Sequence, residues 1–158
     1  MTGVFDTVVQ FLEQDGWAFT RLPEEPILQM VFLGESGRWF CYAETREEPA
    51  LFVFYSVCPV NVPEEKHVAA AELLTRVNYD LVIGNFEMDF SDGEVRYKTS
   101  LEVTGDALSL PLVQNAVYLN VLMMDRYLPG IMSVVYGDVS PVEALTRIEG
   151  ETPELGAE

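Results

Sequence analysis

The dipeptide Asp92-Gly93 sits between two runs that each alternate with period two. Before it, Phe86, Met88 and Phe90 are apolar while Asn85, Glu87 and Asp89 are polar; after it, Val95, Tyr97, Leu101 and Val103 alternate with Glu94, Arg96, Lys98 and Glu102. Successive side chains of a strand point to opposite faces, so each run predicts a half-buried strand. Asp-Gly between two such runs predicts a type I′ hairpin, in which both central residues take positive φ. A two-residue turn then pairs Ser91 with Glu94, Phe90 with Val95, Asp89 with Arg96, Met88 with Tyr97 and Glu87 with Lys98. In that register apolar meets apolar and two acids meet bases, cross-strand pairs that each contribute about 0.2–1 kcal/mol. An antiparallel sheet is therefore fixed, and any helix has to pack on it.

The acidic side chains around Gly93 also raise the question of a calcium loop. An EF-hand loop carries glycine at its sixth position and a carboxylate at its twelfth. Counting from Asp89 puts Gly93 one position early and Ser100 where the carboxylate belongs. The stretch reads as a hairpin with charges on its wet face. A small-ligand or metal sensor using Asp89, Asp92 and Glu94 is the alternative reading, and no metal or cofactor site is expected elsewhere.

The rest of the chain supplies the other elements. Phe5, Val8, Val9 and Leu12 recur at helical spacing and predict a helix over Val4 to Gln14, ended by Gly16. "WAFTRL", "ILQMVFLGE", "RWFCYAET" and "ALFVFYSV" predict four sequential strands, separated by "PEEP", "SG" and "REEP", as an antiparallel meander. Pro63, Glu64 and Glu65 suit a first helical turn and Arg76 a last one, which predicts a helix burying Val68, Ala71 and Leu73 or Leu74. Beyond Pro111 the chain is apolar on more than one helical face. Asn120, Asp125 and Arg126 argue against a membrane span. Pro129-Gly130 predicts a break into two helices, Pro111 to Tyr127 and Pro129 to Tyr136. "SPVE", from Ser140 to Glu143, is a capping box that opens a last helix through Ile148. Residues 1–148 thus form one α+β domain, with an acidic disordered tail over 149–158.

Composition excludes some partners. A formal net charge of −17 repels phosphate backbones and anionic lipid, so neither nucleic acid nor membrane is expected. With 49% hydrophobic residues the chain carries enough apolar area to fold. The N-terminus has Asp6 and no basic region before its apolar residues, unlike a signal peptide, which predicts a cytoplasmic protein. Cys41 and Cys58 do not face each other in the expected meander and read as free, buried thiols.

Residues for catalysis are scarce. His67 follows two glutamates in a first helical turn and reads as surface solvation. Ser56 lacks the glycine flanks of a nucleophile elbow, and nothing cationic adjoins Cys58. An enzyme is not expected. Hydrophobicity is in surplus instead: both alternating sets of "RWFCYA" and "ALFVFYSV" are apolar, where a sheet with one covered face would alternate with polar residues. Either the C-terminal helices cover both faces or another protein covers one. Candidate protein-binding residues are Trp39, Tyr42, Phe52, Phe54, Tyr118 and Met123.

The order helix, meander, helix, hairpin and C-terminal helices resembles the YbjN family of bacterial sensory transduction regulators, whose fold is similar to that of type III secretion chaperones. The resemblance rests on "CYAETREE" (Cys41 to Glu48), "FVFYSVCPVNVPEEK" (Phe52 to Lys66), "NYDLVIGNFEMDFSDGEVRYKTS" (Asn78 to Ser100) and "MDRYLPGIMSVVYGDVSP" (Met124 to Pro141). The chain looks like the short members found in photosynthetic bacteria. The resemblance implies a non-enzymatic domain with a regulatory or chaperone-like role, which binds a partner protein or a second copy of itself as a homodimer.

Overall fold

A computed structural model of the chain describes residues 3–103 and 107–151. In chain order the elements are α1 (Val4–Gln14), β1 (Phe19–Arg21), β2 (Ile27–Leu33), β3 (Arg38–Glu47), β4 (Ala50–Val57), a single 3-10 turn (Glu64–Lys66), α2 (His67–Asp80), β5 (Asn85–Asp89), β6 (Glu94–Glu102), α3 (Leu110–Tyr136) and α4 (Pro141–Glu151). The strands form one antiparallel sheet in the order β1-β2-β3-β4-β6-β5. The expected meander is present, and the hairpin joins it through its second strand. The α+β class expected from the sequence is the one observed. The expected acidic tail lies outside the described residues beyond Glu151, and α4 continues past the expected end at Ile148.

Alternation decides which side chains enter the core. On one face of the sheet Leu28, Met30, Trp39, Cys41, Ala43, Phe52, Phe54, Val95 and Tyr97 are all buried. Against this face α3 packs on β4 and β6 and α1 on β3, while α2 lies on β5 and α4 on α2 and α3. α1 buries Val4, Thr7, Val8, Phe11 and Leu12, a stripe turned by about one residue from the expected one. α2 differs more. It buries Ala70, Leu73, Leu74 and Val77 while Val68 is exposed, because the 3-10 turn before it resets the phase of the helix.

The C-terminal helices depart from expectation at Pro129. α3 runs unbroken from Leu110 to Tyr136 with Pro129 inside it. Proline has no N–H to donate to the carbonyl four residues earlier, which here belongs to Asp125. That carbonyl accepts instead from the Ser36 hydroxyl at 2.6 Å, in the turn between β2 and β3. The Asp125 carboxylate accepts from the N–H of Glu35 (3.0 Å) and the N–H of Ser36 (2.8 Å), and its Oδ1, also 2.6 Å from the Ser36 hydroxyl, shares that one proton with the carbonyl. Gly34 lets the turn come this close: a Cβ there would lie 2.6 Å from Asp125 Oδ1 and 2.8 Å from Trp39. About one and a half turns earlier, buried Asn120 donates its side-chain amide to the carbonyls of Phe54 (2.8 Å) and Tyr97 (3.1 Å) and to Thr99 Oγ1 (3.2 Å). α3 is thus tied to β4, β6 and the β2–β3 turn.

The hairpin keeps its faces and changes its register. Asp89 pairs with Glu94, Met88 with Val95, Glu87 with Arg96, Phe86 with Tyr97 and Asn85 with Lys98. This is two residues from the expected pairing, so each side chain keeps its face. The turn has four residues, and of Asp92 and Gly93 only Gly93 takes positive φ, +80°. Local side-chain bonds favour the longer turn: Asp89 accepts from the Ser91 N–H (2.8 Å) and hydroxyl (2.6 Å), and Asp92 from the Glu94 N–H (2.9 Å). The turn also docks on Val62, whose N–H donates to the Gly93 carbonyl at 2.8 Å, and a Cβ on Gly93 would collide with Val62. His67 closes the same junction. It is buried, not solvated as expected, with Nε2 donating to the Val62 carbonyl at 2.9 Å and its ring edge-on to Phe90.

The outer edge of β5 is capped. The Asn78 side chain from α2 accepts from the Phe86 N–H at 2.8 Å and donates to the Phe86 carbonyl at 2.9 Å, as a neighbouring strand would. No helix among the described residues is long and apolar enough to cross a membrane.

Replacing Asp125 with Asn should loosen the β2–β3 turn, lowering stability in urea denaturation by about 1–3 kcal/mol at neutral pH. Burial raises the Asp125 pKa, but the bonds from Ser36 and Glu35 lower it by more, for a net fall below the ordinary 3.8. A carboxyl depressed by folding contributes stability above its unfolded pKa and loses it as pH falls through the folded one. The gap between wild type and variant should therefore persist above about pH 4 and close below it.

Candidate functional site

Among the described residues, the helices cover one face of the sheet and leave the other open. On the open face β2 places Gln29, Val31 and Leu33, β3 places Phe40, Tyr42 and Glu44, and β4 places Leu51, Val53, Tyr55 and Val57. None of these is fully buried, and Leu33, Phe40 and Val31 are 77%, 49% and 40% exposed. Towards β6 the same face becomes charged. Arg96 and Lys98 both pair with Glu87, at 2.5 and 3.1 Å, and the Arg96 guanidinium lies over the Tyr55 ring at 4.2 Å. Burial raises the Glu87 pKa, yet bonds and charge from the two cations bring it below the ordinary value. The open face is therefore an apolar field with an ionic border.

Where β1 ends, this field continues around the sheet edge into a groove of about 800 Å³. Trp17 and Phe19 form one wall, Val31, Phe32 and Phe40 the floor, and Tyr118 and Leu122 of α3 the other wall. Trp17 stacks on Phe32 with ring centroids 5.8 Å apart. Asp15 stands at the rim and accepts from the Tyr118 hydroxyl at 2.7 Å and from Trp17 Nε1 at 2.9 Å.

The sequence candidates fall in several places. Trp39, Phe52 and Phe54 are 2%, 0% and 0% exposed, beneath α1 and α3. They belong to the core and offer nothing to a partner, because strand alternation turns them towards the helices. Tyr42 lies half-buried on the open face and its hydroxyl accepts from Gln29 at 3.1 Å. Tyr118 lines the groove. Met123, half-buried on α3, packs against the core. Thus the six do not share one surface. Val31, Leu33, Phe40 and Leu122, which were not picked out, are the exposed apolar residues of the open face and the groove, while Val82, Tyr79, Val68, Tyr136, Ile83 and Phe90 are exposed elsewhere. Two-sided hydrophobicity in β3 signals Phe40 alone; Val31 and Leu33 of β2 and Leu122 of α3 lie outside the runs that show it, and which side of the sheet is covered depends on where α3 lies.

The polar groups weighed for chemistry, the two cysteines and the carboxylates of the alternative sensor reading, sit in the core or in their own turn. Burial pushes the Cys41 thiol up to about 12, against weaker opposing bonds from Ser56 and Trp39, and raises Cys58 as well. Both cysteines are free and buried, with Cys41 opposite Ser56. The Asp89 and Asp92 carboxylates serve their own turn. No group of three His, Cys, Asp or Glu side chains able to hold a metal occurs among the described residues.

Comparison with known proteins agrees with the sequence resemblance. The family model YbjN, described as "Putative bacterial sensory transduction regulator", matches residues 5–132. A similar solved structure is the crystal structure of YbjN, "a putative transcription regulator from E. coli". It is 14% identical, covers 84% of this chain and 89% of its own, and superposes with a TM-score of 0.55. At that identity the likeness speaks for the fold. No curated protein matches the chain by sequence.

The two faces should respond differently to charge. Phe54→Asp should abolish the cooperative thermal transition, since it buries an unpaired carboxylate. Phe40→Asp should shift Tm by less than about 2 °C, as surface changes do. Circular dichroism melts of the two variants test the assignment.

Proposed function

The chain belongs to the YbjN family, and from that footing we propose that it is a cytoplasmic, non-enzymatic regulator that acts by binding protein through the sheet face its helices leave open. The observation that carries this reading is the open face itself. A sheet with one side in water ordinarily alternates apolar with polar residues, whereas Val31, Leu33, Phe40, Tyr42, Val53 and Tyr55 point away from the core here. Apolar area of this kind on a regulator is a docking surface for a partner or for a second copy of the chain.

Charge narrows the mode of action. The E. coli structure is described as that of "a putative transcription regulator". A net charge of −17 makes direct contact with a DNA backbone unfavourable, so regulation through contact with a protein fits this chain better. The raised thiol pKa values also count against catalysis, because a cysteine attacks as its thiolate.

Affinity capture with the tagged wild type and with Phe40→Asp tests the reading, run beside sedimentation equilibrium of both. A partner, or a dimer, present with the wild type and lost with the folded variant is expected. A wild type that stays monomeric and captures the same proteins as Phe40→Asp would contradict the reading.

A further inference from the structure

β1 pairs only with Leu28 to Met30 of β2, so Val31, Phe32 and Leu33 have no strand on their outer side among the described residues. The opposite edge of the sheet differs, since Asn78 caps Phe86 of β5 and Glu87 and Asp89 flank it. An uncapped strand edge presents backbone donors and acceptors to any extended chain that reaches it. At this edge it runs along the apolar groove, where side chains from both faces of the sheet meet Trp17 and Leu122. Main-chain pairing and side-chain pockets thus lie side by side, the two requirements for recognition by strand addition.

The rim of the groove selects the sign of charge. Asp15 is held by two neutral donors, Tyr118 and Trp17, and no cation pairs with it among the described residues. Its carboxylate therefore faces the groove mouth uncompensated, on a chain that is strongly acidic throughout. A second copy would bring the same charges to the contact, whereas a basic segment would neutralise them.

We propose that this groove takes one extended segment of a partner protein, which pairs with the free edge of β2, lays alternate apolar side chains against Trp17, Phe32 and Leu122, and sets a lysine or arginine on Asp15. This rests on the protein-binding reading above and adds to it a site, a backbone conformation and a charge.

The test is an NMR titration of the isotope-labelled chain with an eight-residue peptide of alternating valine and threonine, carrying lysine at both ends. A twin with glutamate at both ends is the control. Shifts and slowed amide exchange are expected at Val31 and Leu33, whose backbone groups point away from β3, and shifts at the Trp17 indole. The lysine peptide should bind about threefold more tightly or better than its twin, and Asp15→Asn should erase the difference. Leu122→Glu, at an exposed position, should weaken both peptides by about tenfold with the circular dichroism spectrum unchanged. Shifts confined to the open face around Tyr42 and Tyr55 would overturn the groove while leaving the protein-binding reading standing. No shift with either peptide would overturn the groove outright. A dimer in sedimentation equilibrium that Leu122→Glu splits would show that a second copy is the occupant.

Discussion

The attachment of α3 to the sheet is the contact on which the rest of the molecule depends. A 27-residue helix spans about 40 Å, far enough to cover most of a six-stranded sheet. Apolar packing alone would tolerate sliding along the helix axis, since it has little direction. Two polar ties remove that freedom. Asn120 reaches β4 and β6 from inside the core, and Asp125 holds the β2–β3 turn at the sheet's end. Proline at position 129 is part of the second tie, because it frees the carbonyl that Ser36 then takes. A residue that reads as a helix breaker thereby becomes a point of attachment.

Once α3 is fixed, the sheet has an inside and an outside. The same placement that buries Phe52 and Phe54 leaves Phe40 and Leu33 in water. The proposed role rests on that asymmetry. The family assignment supplies a regulatory context and the E. coli structure supplies the fold, while the chemistry of contact comes from this chain's own residues.

Local rules made most elements legible. Period two marked β5 and β6, apolar runs between turn residues marked the meander, i, i+3, i+4 spacing marked α1, and the Ser140 capping box marked α4, where the serine hydroxyl accepts from the Glu143 N–H at 3.1 Å. What stayed hidden depended on distant partners. Asp-Gly predicts a two-residue turn on average, but the contact of Gly93 with Val62, 31 positions earlier in sequence and absent from any local pattern, belongs to a four-residue one. His67 looked solvated because its neighbours in sequence are acidic, whereas its neighbours in space are Val62 and Phe90. The candidate surface suffered in the same way. Aromatic residues in β3 and β4 stood out by size, and size does not tell inside from outside.

The Asn78 amide that closes the edge of β5 has a consequence for assembly. A polymer built by strand pairing needs two adhesive ends on every unit, one to receive and one to offer. Here the Asn78 side chain of α2 occupies one end, at Phe86, with both of its hydrogen-bonding groups. Growth of the sheet in that direction is terminated within the chain itself. A partner strand is therefore better received at the β2 edge, whereas the β5 edge, covered at Phe86, is poorly suited to pair with a second copy.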